Sequence, residues 1–306
     1  MGTRLLLINE DETARGIGLA DWLADAAVAA LTEEATLTPK PGLVDLRGNG
    51  AHEDLNWRLM CHSASTLRPA FLAMAQAGQR IPGQLALRQH IGAVGREGER
   101  RMMQATGGVN THRGAIWALG LLVTAAAQPR GEGHARAVAQ RAGALARLHD
   151  SHAPAVTGNK GALACLRHGV GGARAQAQAG FPQVTKVALP ALRASRRRGE
   201  SEDEARLNAL LAVMARLDDT CLLARGGLQA LEAAQQGARR VLEAGGAGNA
   251  HGQAALRVLD ADLLSRRVSP GGAADLLAAT LLLDRIENKD KDINMEVERD
   301  HGTIAV

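Results

Sequence analysis

The sequence predicts an all-α protein, a single large multi-helix domain, and three observations predict it. Hydrophobic residues supply 46% of the 306 positions while aromatics supply 2%, with two Phe, three Trp and no Tyr, so the core has to be built from Leu, Ala and Val. Helices favour Ala and Leu, whereas sheets are enriched in aromatic and β-branched side chains. Apolar residues recur at the spacing of a helix face through most of the chain, and no stretch reads convincingly as a strand. The breaks between these runs are short and rich in Gly and Pro, which suits helices packed antiparallel to their neighbours.

Residues 13–37 form the first expected helix, with Leu19, Trp22, Leu23, Ala26, Ala27, Ala30 and Leu31 at helical spacing. Residues 52–77 read as a second, with Leu55, Leu59, Ser63 and Thr66 inward and a kink at Pro69. Ile81-Pro82-Gly83 breaks the pattern, and 85–104 resumes it with Arg and Glu on the outer side. The apolar run 115–127 looks central; 134–149 and 162–168 follow, and 171–182 reads as loop. A clear stripe of Leu207, Leu210, Leu211, Met214 and Leu217 marks a helix over 202–217, and 228–242 is another. The glycine-rich stretch 245–252 is a linker, and 254–265 and 275–285 are the last helices, with Ser269 capping and Pro270 at N1. The domain is placed at 1–286, and the charged, aperiodic 287–306 is expected to be a loose tail with no part in function.

Composition excludes several classes. The net charge of +4 comes mostly from dispersed arginines, and the isoelectric point is about 9.3. The one dense run, 193–198, lacks the interleaved aromatics of a nucleic-acid surface and reads as a solvated helix end. A mild basic excess suits a small polyphosphate. Cys61, Cys165 and Cys221 make no Cys-x-x-Cys pair and are too few for a disulfide framework, which points to a reducing compartment. No apolar run reaches membrane-spanning length, and the apolar stretch after Met1 is too short for a signal peptide, so a cytoplasmic protein without a membrane partner is expected. Gly158-Asn159-Lys160-Gly161 lacks the spacing of a phosphate-binding P-loop, and 245–252 lacks the strand that precedes a dinucleotide loop.

Chemistry-bearing residues gather in polar islands at helix ends. The stretch 34–56 packs Glu34, Lys40, Asp45, Arg47, Asn49, His52, Glu53, Asp54 and Asn56 into one crossing stiffened by Pro39 and Pro41. At 107–114, Asn110 or Thr111 can cap the central helix, whose first amides would favour an anion, with His112 and Arg113 at its mouth. Lys160 and Arg174 stand among glycines in the third island, and Arg225 follows the acidic island 218–220. Asp218, Asp219 and Thr220 offer the hard oxygens that Mg²⁺ prefers, although helix ends use the same residues as caps. Ser269 and Asp275 flank a last glycine-rich mouth. If these ends converge, they line a cleft where basic residues meet phosphates and carboxylates meet Mg²⁺, which implies a nucleotide-like substrate.

Six motifs then carry a resemblance. T-P-K-P-G-L-V-D at 38–45, N-G-A-H-x-D at 49–54, G-x-N-T-H-R-G at 108–114, L-D-D-T at 217–220, R-G-G at 225–227 and S-P-G-G-x-A-D-L-L-A at 269–278 resemble the triphosphoribosyl-dephospho-CoA synthase family, in this order over about 19–284. Through 157–181 the form serving malonate decarboxylase matches better than the citrate lyase form, while the sequence after Arg285 departs from the pattern. The resemblance implies that ATP gives up adenine while its triphosphoribosyl group moves to the 2′-hydroxyl of 3′-dephospho-CoA. The product would pass to a phosphoribosyl-dephospho-CoA transferase and on to the decarboxylase acyl carrier protein. On this footing Lys40, Arg113 and Arg174 are expected on phosphates, with further substrate contacts from Asn49, His52, Asn110, Thr111, Lys160, Arg225 and Ser269. Asp218, Asp219, Thr220 and Asp275 are expected around Mg²⁺, and Glu34 or Asp45 as the base, with His112 as the alternative. Asp219→Asn is then expected to cut turnover and leave thermal stability nearly unchanged. Two other classes fit the same features: a Mg²⁺-dependent hydrolase like the ADP-ribosyl-glycohydrolases, and a non-catalytic helical scaffold using the 193–198 run against an acidic partner. Homo-oligomerisation is left open.

Overall fold

The computed structural model describes residues 18–129, 133–154 and 159–302, with side chains described to Lys291. The short apolar stretch after Met1, the start expected for the first helix at 13, Thr157 and Gly158 lie outside these residues. The elements are α1 (Leu19–Thr36), α2 (Trp57–Thr66), α3 (Arg68–Arg80), α4 (Gln84–Ala105), α5 (Arg113–Ala127), α6 (Ala135–Arg147), α7 (Lys160–His168), α8 (Gly172–Gln178), a π-turn (Val184–Ala188) running into α9 (Leu189–Arg197), α10 (Glu202–Met214), α11 (Thr220–Glu243), α12 (Ala250–Ser265) and α13 (Gly271–Gly302). No strand occurs among the described residues beyond an isolated bridge between Asp45 and Gly48. The all-α expectation holds.

Helix α5 sits at the centre because it is apolar all round, and such a helix is stable only inside a shell of others. It packs against α1, α3, α4, α6 and α13. Leu119, Leu122, Val123 and Ala125 have no exposure, so truncating either leucine to Ala is expected to cost about 2–5 kcal/mol. A second group, α9 to α12, closes on α13, and α10 begins with a capping box between Ser201 and Glu204.

Four differences from the sequence reading have local causes. The single helix expected over 52–77 is two, with Pro69 in the first turn of α3, where its missing N–H costs nothing. Helix α11 begins at Thr220 rather than 228 and is broken at Gly227, whose φ of 65° only glycine adopts readily. Residues 171–182 are largely helical, because α8 packs on α6. The segment from 287, expected as a loose tail, continues α13 as helix to Gly302. It is tied down early: Glu287 accepts from the Ala135 amide at 3.0 Å and pairs with Arg193 and Lys291 at 2.9 and 3.0 Å. Burial disfavours the Glu287 carboxylate, yet these donors bring its pKa down to about 2. The Lys289 ammonium lies 4.9 Å over the Trp22 ring.

Three of the four arginines in the dense run are paired within the molecule, and Arg197 is exposed. Arg193 meets Glu287, Arg196 meets Glu202 and Asp284, and Arg198 meets Glu200. Two of the four guanidinium partners lie on α13, so the run joins α9 to the last helix rather than standing free.

Candidate functional site

Loop 37–56 is organised by Asp45. Its carboxylate accepts from the Lys40 amide at 2.8 Å, the Arg47 amide at 2.8 Å and Arg47 Nε at 2.9 Å. Arg47 also donates to the Lys40 carbonyl at 3.1 Å and to Asp260 on α12 at 2.8 Å, and Asp260 accepts from the Gly42 amide at 2.9 Å. The loop is thereby closed on itself and fastened to α12. Lys40 is 1% exposed, and its ammonium donates to both the carbonyl and the carboxylate of Glu34 in the last turn of α1. A cation at a helix C-terminus faces the negative end of the dipole, and the buried carboxylate completes its partnership.

At the mouth of α5, His112 occupies the N-cap position and Asn110 accepts from the Arg113 amide at 3.2 Å. His112 is 2% exposed, its Nδ1 lies 2.9 Å from Ser63 Oγ, and Ser63 Oγ lies 2.5 Å from Thr111 Oγ1. Its Nε2 is buried with no partner. Burial, helped by the positive charge of Lys40, lowers the imidazole pKa to about 4, so the ring is neutral near pH 7. Arg113 reaches back to Glu99 on α4 at 3.1 Å.

Asp219 joins two helix N-termini. It is 2% exposed and accepts from the Cys221 amide of α11 at 2.8 Å and from the Ala273 amide of α13 at 2.9 Å. Burial raises its pKa while these amides, with those of Gly272 and Leu222, oppose the rise. The Ser269 cap expected for α13 is not made: Ser269 Oγ is buried without a partner, and Asp219 takes that role from across the fold. Asp275 sits on the first turn of α13 against Gly114, where any Cβ would strike its carboxylate, and it accepts from the Ala115 amide of α5. Burial first, then the charges of Glu34 and Asp219, push the Asp275 pKa well above the ordinary carboxylate range.

These contacts show that the helix mouths converge. Glu34, Lys40, His112, Asp219 and Asp275 lie within electrostatic reach of one another through Lys40 to His112 and Asp275 to both Glu34 and Asp219. Arg225 of α11 donates to His52 Nδ1 at 3.1 Å, which draws the loop towards the acidic mouth. Burial and the Arg225 charge lower the His52 pKa to about 4, against the pull of Asp54. Thr220 lies beside Gly161 and Gly172, so the first turns of α7 and α8 reach the same place.

The chain was then compared with known proteins. The model of the family CitG, ATP:dephospho-CoA triphosphoribosyl transferase, matches residues 20–294. The chain belongs to this family. It is 58% identical over 265 residues to the 2-(5''-triphosphoribosyl)-3'-dephosphocoenzyme-A synthase of Klebsiella pneumoniae, covering 87% of this chain and 94% of that one. Proteins named as probable synthases of the same kind in Pseudomonas fluorescens and Azotobacter vinelandii are 57% and 55% identical, over 89% and 88% of this chain and 94% and 92% of theirs. No solved structure matches.

In this family member the expected residues fall into three groups. Glu34, Lys40, Asp45, Thr111, His112, Asp219, Ser269 and Asp275 are buried or partly buried at the converging mouths. His52, Arg113 and Thr220 sit at the rim with the partners given above. Asn49, Asn110, Lys160, Arg174, Asp218 and Arg225 are exposed. No group of three or more His, Cys, Asp or Glu side chains able to hold a metal ion occurs among the described residues. The burial of Asp219 also changes the stability expectation for Asp219→Asn, because two helix starts now depend on it. Sequence reasoning did not assign Ser63 or Asp260 to the site. Ser63 showed only as an inward position of a helix.

Proposed function

We propose that this protein transfers the triphosphoribosyl group of ATP to the 2′-hydroxyl of 3′-dephospho-CoA with release of adenine. The observation that carries the reading is the family match over residues 20–294, since it spans every mouth of the cleft. In the transfer, the bond from ribose C1′ to adenine breaks, a bond from C1′ to the acceptor oxygen forms, and the hydroxyl proton is balanced by the proton that adenine takes on leaving. The protein has to hold the triphosphate, accept a proton and stabilise an oxocarbenium-like centre.

Of the three base candidates, His112 has the free site. The oxygens of Asp45 are occupied by the loop's own donors and Glu34 is paired with Lys40. His112 Nδ1 is engaged by Ser63 Oγ, which meets Thr111 Oγ1, and Nε2 carries no partner; with Nδ1 as the donor to Ser63, Nε2 would present the lone pair a base needs. An ionised Asp275 would supply negative potential towards a developing cation, while the α5 N-terminus with Arg113, Lys160 and Arg174 would face phosphate. Lys40 acts as the positioning residue that holds loop 37–56 on α1.

Mg²⁺ fits as an ion carried by the triphosphate. Burial first, and then repulsion from Glu34 and Asp219, raise Asp275, and a divalent cation would offset both; Mg²⁺ commonly takes one or two carboxylates with phosphate and water completing its shell. Asp275, with exposed Asp218 and Thr220 at the rim, would hold it there, and the ion would neutralise charge on the transferred group.

The finer reading places the protein in the cytoplasm and its product on a malonate decarboxylase acyl carrier protein, by way of a phosphoribosyl-dephospho-CoA transferase. No helix among the described residues is long and apolar enough to cross a membrane. Mass spectrometry of 3′-dephospho-CoA incubated with ATP, Mg²⁺ and the protein is expected to show the acceptor carrying one added triphosphoribosyl group. Supplying that product to the transferase with either apo carrier protein tests the rest: preferential loading of the citrate lyase carrier would overturn the malonate assignment.

A further inference from the structure

We propose that Arg88 and Arg96, gathered about Asp150 beside Trp117, with Arg174 within electrostatic reach of Arg88, form an anion subsite for a di- or triphosphate group of one of the two nucleotide substrates. Arg88 is 7% exposed, and its guanidinium carbon stacks 5.1 Å over the Trp117 ring. Its reach to Asp150 Oδ2 is 3.5 Å, the outer limit of a hydrogen bond, because Arg96 holds the same oxygen at 2.7 Å. The other oxygen of Asp150 accepts from the His152 amide at 3.0 Å. One carboxylate therefore answers two arginines. Arg88 Nε and Trp117 Nε1 are buried donors left without any acceptor, and buried donors of this kind are rare unless something else satisfies them.

Arg174 adds a third positive charge. Burial, opposed by Asp150, lowers the Arg88 pKa from its usual value, and the charges of Arg174 and Arg96 lower it further. A site that repels its own arginines is one that an incoming anion stabilises. Its place in the fold connects it to the cleft. Arg88, Gly92, Arg96 and Glu99 lie on one face of α4, and Glu99 binds Arg113 at the α5 mouth. Trp117 stands one turn beyond Arg113 on α5. Gly92 is required between the arginines, because a side chain there would displace the Asp150 carboxylate.

The assignment of the anion to a substrate rests on the transferase reading; the existence of the subsite does not. Calorimetric titration with inorganic triphosphate and with pyrophosphate tests the subsite on the full chain, using Arg96→Gln, Arg174→Gln and their double variant. Arg266→Gln is the control, since among the described residues Arg266, at the end of α12, forms an ion pair with Asp262 of that helix alone. Each site variant is expected to weaken binding about tenfold, the equivalent of one charge-assisted hydrogen bond, with circular dichroism unchanged. Unaltered binding in the double variant would overturn the subsite, as would an equal loss in the control. In steady-state assays, Arg174→Gln should raise KM for either ATP or 3′-dephospho-CoA, and the one raised identifies the bound phosphate. If neither rises while transfer proceeds, the subsite falls alone; if anion binding depends on these arginines but no transfer occurs, the transferase reading falls and the subsite stands.

Discussion

Lys40 is 1% exposed and its charge is answered by Glu34. Removing one member of a buried pair leaves the other uncompensated, so Lys40→Ala is expected to cost about 3–5 kcal/mol in denaturant unfolding. Glu34→Gln with Lys40→Met should recover much of that loss, and a double variant no more stable than Lys40→Ala would show that the pair is not the cause. Asp219→Asn should reduce turnover and also cost about 1–3 kcal/mol of stability, seen as a lower melting temperature, because amides of both α11 and α13 depend on the carboxylate. An unchanged melting temperature would return Asp219 to a purely ligand-facing role. His112 gives a pH signature. Its pKa is about 4 in the folded protein and near 6.5 unfolded. Above pH 6.5 both states are neutral and nothing is contributed; as pH falls towards 4 the unfolded state binds a proton that the native state does not. Stability should therefore drop by about 3 kcal/mol more in the parent than in His112→Asn over that interval, and parallel curves would contradict the buried neutral ring. At this scale residue types were legible and roles were not. Lys40, Asp45 and Asp219 were visible as charged residues in turns, but their partners lie on segments whose approach no local pattern encodes, Asp260 being the plainest case.

Helix positions were readable where the apolar stripe was strong and hidden where a distant partner completed the element. The run over 115–127 announced itself, whereas α8 owes its form to packing on α6. The continuation of α13 beyond 286 was hidden because its anchors, Ala135, Arg193 and Trp22, come from other helices. Close approach between elements also makes a prediction. Gly78 of α3 lies against the Thr124 carbonyl of α5, and an added methyl would be driven into that backbone atom. Gly78→Ala should destabilise by about 1–3 kcal/mol with helical content preserved. Gly114→Ala would instead displace Asp275 and is expected to reduce transfer more than stability; a variant with full activity would separate Asp275 from the chemistry.

For the molecule as a whole, the sequence order of the six motifs foretold the family, and the convergence of helix mouths is what gives that order a physical meaning. Asp219 clasps α11 to α13, Asp275 joins α13 to α5, Lys40 seats the loop on α1, and Arg225 reaches His52, so the motifs meet through single charged side chains. The arginine run 193–198 was legible as charge but not as internal ion pairing, which ties up Arg193 and Arg196 against α13 and leaves less basic surface for a scaffold to use. Adenine release by the purified protein supplied with ATP and Mg²⁺, followed by chromatography with and without 3′-dephospho-CoA, is the measurement to make. Release only when the acceptor is present is expected of a transferase built around this cleft; release at the same rate without it, with free triphosphoribose as the other product, would make the protein a hydrolase instead.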